Sequence, residues 1–225
     1  MARAARLAGS AAVLLLIVLI LFESYALWRA ERVVPDVLRN ASQGELEPSD
    51  LPRRRIAMLI QVEDPGFYEH HGVDFSTPGA GMTSITQSLV KRFFFDDFQP
   101  GFAKLEQSLI ARFVLDRAMS KPAQLKAYLN LSHFGWRDGK PVIGLAAAAR
   151  TYYGREPAQL SDRQYLSLIA MLMAPRDYDP IRHPDANAER VRRIEAMLAG
   201  KCRPQRLRDV TYSACAKLAK ERLPH

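Results

Sequence analysis

The stretch EDPGFYEHHGVDF, Glu63 to Phe75, sets carboxylates, imidazoles, aromatic rings and glycines side by side. Three readings fit such a mixture: a metal site, a catalytic carboxylate held in a shaped turn, or a polar loop with no chemistry. For a metal, Glu63, His70, His71 and Asp74 are acceptable ligand types. The histidines are adjacent, however, and adjacent side chains do not face each other on a helix. No second His or Cys cluster elsewhere in the chain completes a zinc shell. For a loop, Asp64-Pro65-Gly66 is good turn chemistry, Gly72 can supply a positive φ, and Phe67 and Tyr68 would cover the core. Taken alone, the stretch favours the loop.

The next stretch changes that balance. GAGMTSITQSLVK, Gly79 to Lys91, places small residues before Thr83, Ser84, Thr86, Gln87 and Ser88 at a helix start. Hydroxyls, an amide and open backbone N–H groups make a cradle for a phosphate or a sugar, and Lys91 adds a charge of the right sign. Ordinary capping explains part of this pattern. Together with Glu63, it favours a catalytic carboxylate beside an anion- or sugar-binding helix.

The elements that must position these groups are mostly helical from Ile56 onward. SDRQYLSLIAMLMAP places Ser161 and Gln164 at capping-box spacing, repeats Tyr165, Leu168, Ile169 and Leu172 on one face, and stops at Pro175. SKPAQLKAYLNL starts at a Ser cap with Pro in the first turn, and AERVRRIEAMLAG ends at Gly200. Neither an alternating strand series nor a repeat stands out. In KRFFFDDFQPGF, Phe93, Phe94, Phe95, Phe98 and Phe102 either turn into the core or form a flap at a lipid surface. The chain has 225 residues, 48% of them hydrophobic, which suffices for one domain with a core and an appendage. Its net charge of +8 suits anionic partners; no zinc-finger or RNA-binding signature accompanies it, and nucleic acid is not an expected partner. Cys202 and Cys215 could form one disulfide outside the cytosol.

Arg3 and Arg6 precede an uncharged run from Leu7 to Phe22, and Glu23, Tyr25 and Trp28 follow it. This predicts a membrane anchor with a cytoplasmic N-terminus. A cleaved signal peptide is the rival, although the bulky ESYALW offers no small-x-small cleavage site. The expected organisation is an anchor over residues 1–29, a juxtamembrane linker with at most one short helix over 30–55, a helical domain over 56–200, and a tail over 201–225.

The motifs in this domain resemble those of the peptidoglycan glycosyltransferases. The family's first motif, E-D-x-x-F-x-x-H-x-G-x-D, matches Glu63, Asp64, Phe67, His70, Gly72 and Asp74 without a gap. GMTSITQSLVK resembles the second motif, KPAQLKAYLNLSHFG the fourth, and Ala148 to Arg155 a later box. The resemblance implies a mainly α, lysozyme-like domain with a small membrane-proximal lobe behind one transmembrane helix. It places that domain on the periplasmic side of a bacterial inner membrane. It also implies polymerisation of lipid II onto a nascent glycan strand with release of undecaprenyl pyrophosphate, with other cell-wall synthesis proteins as partners. Glu63 would be the general base. Asp64, Ser84, Thr86, Gln87, Lys91, Lys104, Tyr128, Asn130 and Arg155 would bind or support substrate. The leaving charge calls for basic groups or a divalent cation, magnesium or manganese; no organic cofactor is expected.

Departures from the family pattern leave alternatives open. The stretch between Asp74 and Gly81 is short, Met82 stands where Gly is usual, and Ser88 replaces a Gln. The third motif, R-K-x-x-E, supplies a second acid that manages the pyrophosphate or its metal. Glu106 is the candidate for both roles, yet an ungapped count back from Ser120 and Lys121 puts that acid at Ser108. Glu106 fits only if a bulge absorbs extra residues downstream, and Lys126 stands where the family has an acid. A relative with impaired catalysis that binds lipid-linked glycan or scaffolds cell-wall proteins is the alternative. A glycan-cleaving enzyme on a lysozyme-like fold is the third reading. The 25 residues after Gly200 leave no room for a transpeptidase.

Overall fold

The computed structural model describes residues 2–216, and the side chains of residues 9–216. The side chains of Arg3 and Arg6 and the end of the tail, 217–225, lie outside the described residues. The described chain is mainly α. Helices α1 (Ala2–Ser42), α2 (Arg53–Glu63), α3 (Ile85–Phe94) and α4 (Phe102–Ile110) come first. A π-helical turn (Ala111–Leu115) runs directly into α5 (Asp116–Ala118). Then come α6 (Lys121–Leu131), a hairpin of β1 (His133–Arg137) and β2 (Lys140–Ile143), α7 (Leu145–Tyr153), α8 (Asp162–Leu172) and α9 (Pro184–Leu198).

Helix α8 forms the centre. Its Ser161–Gln164 capping box is present, and every residue from Tyr165 to Met171 is buried. The spacing predicts one apolar face; the helix is instead enclosed on all sides, between α2, α7, α9 and β1. The antiparallel hairpin is a difference from the expected absence of strands. Asp138 and Gly139 both take positive φ, 51° and 75°, as a two-residue hairpin turn requires. Asp-Gly between short apolar runs is the signal that could have found it.

The segment read as linker is also different. Helix α1 does not stop near residue 29 but continues through Ser42, past Pro35. Pro35 is exposed, so the carbonyl it leaves without an intrahelical partner faces solvent rather than the core. The residues Glu23, Ala26, Ala30, Val37 and Ala41 form a buried stripe at helical spacing, and α1 packs there on α4, α6 and the π turn. Ahead of that stripe, Val13 to Ile17 and Ile20 to Phe22 are exposed. Among the described residues, α1 is the one helix long and apolar enough to cross a membrane, with a mean hydropathy of 2.3 in its most apolar window.

Helix α2 is pinned at both ends. Buried Arg55 donates to the carbonyls of Pro157, Ala158 and Leu160, and its own carbonyl accepts from the Tyr165 hydroxyl. At the other end, the Val62 carbonyl accepts from Tyr212 Oη at 2.9 Å. Tyr212 belongs to the tail, which folds back over the domain and is closed by a Cys202–Cys215 disulfide.

Candidate active site

Glu63 is the last residue of α2 and opens onto a cavity of about 740 Å³. The cavity wall also carries Thr83, Ser88, Lys91, Arg92, Lys104, Tyr128, His133 and Arg190, and apolar surface from Met82, Leu89, Phe95, Phe98, Leu131, Met173 and Val210. Asp96 is its one other carboxylate among the described residues. Tyr128 Oη donates to Glu63 Oε2 at 2.8 Å. Burial drives the Glu63 carboxyl up to about 7; the Tyr128 hydrogen bond and the Arg190 charge oppose this, and Asp64 adds to it. A carboxylate at that value takes up a proton near neutral pH and can lose it again, which is what a general base needs.

Positive groups share the cavity wall. Lys104 Nζ donates to Thr83 Oγ1 at 2.9 Å. Burial, and then repulsion from Lys91, lower Lys104 to about 8. Lys91 lies over the Phe98 ring, 5.1 Å from its centroid. Burial and the charges of Arg92 and Lys91 likewise hold the His133 imidazole below its usual value. A carboxylate base in one cavity with ammonium and guanidinium groups suits a reaction that removes a proton and releases an anion.

Asp64 of the first motif and Ser84, Thr86 and Gln87 of the second are absent from the cavity wall and bond within the frame. Asp64 is fully buried, accepting from His70 Nε2 at 2.8 Å and from the Ile85 backbone N–H at 2.9 Å. Ser84 caps α3 in a capping box with Gln87, and its Oγ donates to the Gly72 carbonyl. Thr86 Oγ1 donates to Gln124 Oε1 at 2.6 Å. Gln87 Nε2 donates to Ser108 Oγ at 2.9 Å. These bonds weld the turn of the first motif to the start of α3 and to α4. Asp64, Ser84, Thr86 and Gln87, expected to bind substrate, are thus engaged in the frame and lie off the cavity wall.

Three further candidates lie off the cavity wall. Asn130 does not reach the cavity. Its Oδ1 accepts from Leu46 N, and its Nδ2 donates to the carbonyls of Leu46 and Lys126, so it clamps the chain after α1 onto α6. Asn130→Ala leaves the Leu46 backbone without those partners, and should lower stability by about 1–3 kcal/mol in chemical denaturation. Arg155 is exposed beside the left-handed Gly154 and borders a separate depression with Tyr153 and Asn187. Glu106 faces α1, with Arg29 Nη2 3.8 Å away, and is absent from the cavity wall. The downstream bulge that Glu106 required does exist, as the π turn at Ala111–Leu115. A π turn absorbs about one residue, and it leaves Lys104 on the cavity wall and Ser108 against Gln87.

This bears on the divalent cation. With Glu106 turned to α1 and Ser108 in the acid's counted place, the cavity presents Glu63, already bonded to Tyr128, and Asp96. Among the described residues no group of three or more His, Cys, Asp or Glu could hold a metal ion. The donor set does not fit a resident magnesium or manganese. Arg92, His133, Arg190 and Val210 are cavity residues that the sequence reading missed. Arg92 directly follows the second motif and His133 lies in the stretch that resembles the fourth, whereas Arg190 and Val210 come from α9 and the tail, where no local pattern points to the cavity.

Comparison with known proteins places this geometry. A family model described as Transglycosylase matches residues 31–199. Penicillin-binding protein 1F of Bacillus subtilis is 34% identical over 163 residues, covering 67% of this chain and 22% of that protein. The biosynthetic peptidoglycan transglycosylase of Nitrosospira multiformis is 32% identical over 154 residues, covering 63% of this chain and 65% of that protein. Penicillin-binding protein 1A of Escherichia coli is 28% identical over 148 residues, covering 60% and 17%. The matched part thus spans less than two thirds of each of these relatives.

Proposed function

The chain belongs to the transglycosylase family, and on that premise we propose that it is a membrane-anchored glycosyltransferase that polymerises lipid II. The observation that carries the proposal is Glu63 at the cavity wall, held by Tyr128 and brought to about 7, in one cavity with Lys91, Lys104 and Arg92. Glu63 takes the proton from the 4-hydroxyl of the acceptor sugar as that oxygen bonds to the donor's anomeric carbon. The bond from that carbon to the pyrophosphate oxygen breaks, and undecaprenyl pyrophosphate leaves with the electron pair. Lys91, Lys104 and Arg92 meet its charge. No step is assigned to a metal, because the residues present do not fit one.

Supporting an uncleaved anchor in the bacterial inner membrane, the buried stripe from Ala30 to Ala41 is part of the domain's core. The domain then lies on the periplasmic side, where lipid II and the nascent glycan are met. Phe102, Leu105 and Phe113 are 75%, 46% and 41% exposed on or beside α4, next to α1, as a surface resting on lipid would be. Phe93, Phe94 and Phe95 instead pack half-buried against the core. Other cell-wall synthesis proteins are partners on this reading.

A second reading, a relative that binds lipid-linked glycan with impaired catalysis, is favoured by the turned-away Glu106. Detergent-purified full-length protein incubated with lipid II, with magnesium or with EDTA, separates the two. Glycan polymer in both buffers is the expected result. Lipid II bound but unpolymerised in both would establish the second reading.

A further inference from the structure

Residues 202–215 lie beyond the part of the chain that the family model matches, which ends at residue 199. They are nevertheless built into the cavity. The Gly79 and Gly81 N–H groups donate to the carbonyls of Arg206 and Leu207 at 3.0 and 2.8 Å. The approach is too close for side chains: a Cβ on Gly79 would come within 2.6 Å of Pro204, and one on Gly81 within 2.8 Å of Val210. Val210 itself is on the cavity wall. Its carbonyl accepts from Arg190 Nη1 at 2.8 Å, and the Arg190 guanidinium lies over the Tyr212 ring. Tyr212, 1% exposed, bonds the Val62 carbonyl one residue before Glu63. The Cys202–Cys215 disulfide closes this loop.

We propose that the disulfide-closed tail is a working part of the catalytic cleft. It seats both Arg190 and the end of α2, so that Glu63 and Arg190 are positioned against each other, and it supplies Val210 as wall for a sugar ring of the substrate. Only the sugar contact rests on the glycosyltransferase reading. Tyr212 and Arg190 are positioning residues: they act through Glu63. The groups that face Glu63 are Tyr128 from α6, Arg190 from α9, Tyr165 from α8, Tyr212 from the tail and neighbouring Asp64. Lys91, Arg92, Lys104, His133 and Asp96 are the other charged or titratable groups on the cavity wall. Of the charges that act on Glu63, Arg190 is the one that favours its ionised form, and the tail holds Arg190.

The test uses full-length protein in detergent as wild type, Cys202→Ser/Cys215→Ser and Tyr212→Phe. Glu63 titration is followed by 13C NMR, with Glu63→Gln for assignment, and lipid II kinetics are measured alongside. In the double variant the Glu63 midpoint should move to higher pH as Arg190 loses its seat. Its kcat should fall about tenfold to a hundredfold as the base is misplaced, and KM should rise. Tyr212→Phe, which keeps the disulfide, should lower kcat in the same direction by less. A wild-type midpoint with wild-type kcat and KM in both variants overturns the proposal, even if melting temperatures fall. If the double variant does not fold, Tyr212→Phe decides alone by its kcat and midpoint. A wild type that does not polymerise lipid II would sink the glycosyltransferase reading; the NMR midpoint would still test the tail.

Discussion

Glu63→Gln should slow lipid II polymerisation by about 100- to 10,000-fold, the usual contribution of a positioned base. Gln keeps the size of the side chain and an oxygen to accept from Tyr128 Oη, so the cavity keeps its shape and lipid II binding should persist. It cannot take up the acceptor's proton. The wild-type rate should rise with pH through about 7, as Glu63 ionises, and fall again past about 8, as Lys104 loses its charge. Glu63→Gln should erase the acid limb. Stability supplies a control with the opposite sign. A carboxyl whose folded value lies above its unfolded value favours folding at low pH, and that contribution is lost as pH rises from 4.5 to about 7. At pH 8 the variant should therefore be at least as stable as wild type while being far less active. A joint loss of activity and stability would count against Glu63 as a base.

Gly72→Ala should be the most destabilising single methyl group added to the site. Gly72 takes φ 84°, and a Cβ there would come within 2.4 Å of the Ala111 carbonyl oxygen, a backbone atom in the π turn. The left-handed backbone costs an L-residue about 1–2 kcal/mol, and forcing atoms into a packed interior about 1–3 kcal/mol more. The expected outcome is a loss of several kcal/mol in chemical denaturation. Activity should fall with it, because the Gly72 carbonyl anchors Ser84, which caps α3 and fixes Gln87. A loss below about 1 kcal/mol would mean that the turn and the π segment move apart easily.

Legibility in the sequence followed how local each cause is. The Ser161–Gln164 box was readable because cap and partner are three residues apart. Glu63 was readable because its motif is contiguous, and its α2 placement follows from the same few residues. The frame bonds of Asp64, Ser84, Thr86 and Gln87 were not readable because hydroxyls and amides at a helix start bond a ligand or their own frame equally well. Their partners decide: Gln124 and Ser108 lie 38 and 21 residues away. The direction of Glu106 was not readable because it depends on α1 packing against α4, a contact between distant parts of the chain. The tail's part in the cavity had no local sign at all, since Val210 and Tyr212 look like ordinary apolar residues until the chain folds back.

Helix α1 has one consequence for how the protein meets its substrate. A loose tether would let the domain tumble above the bilayer, presenting its cleft to lipid-borne molecules at random heights and angles. Here a single helix, rising about 1.5 Å per residue, leaves the apolar segment and enters the domain's core without a joint. If that segment is anchored, the cleft is held at one elevation and one heading. The encounter then becomes a search in two dimensions by a catalyst already facing its target. Much of the orientational entropy that such a reaction must lose is removed when the protein inserts, before any substrate arrives.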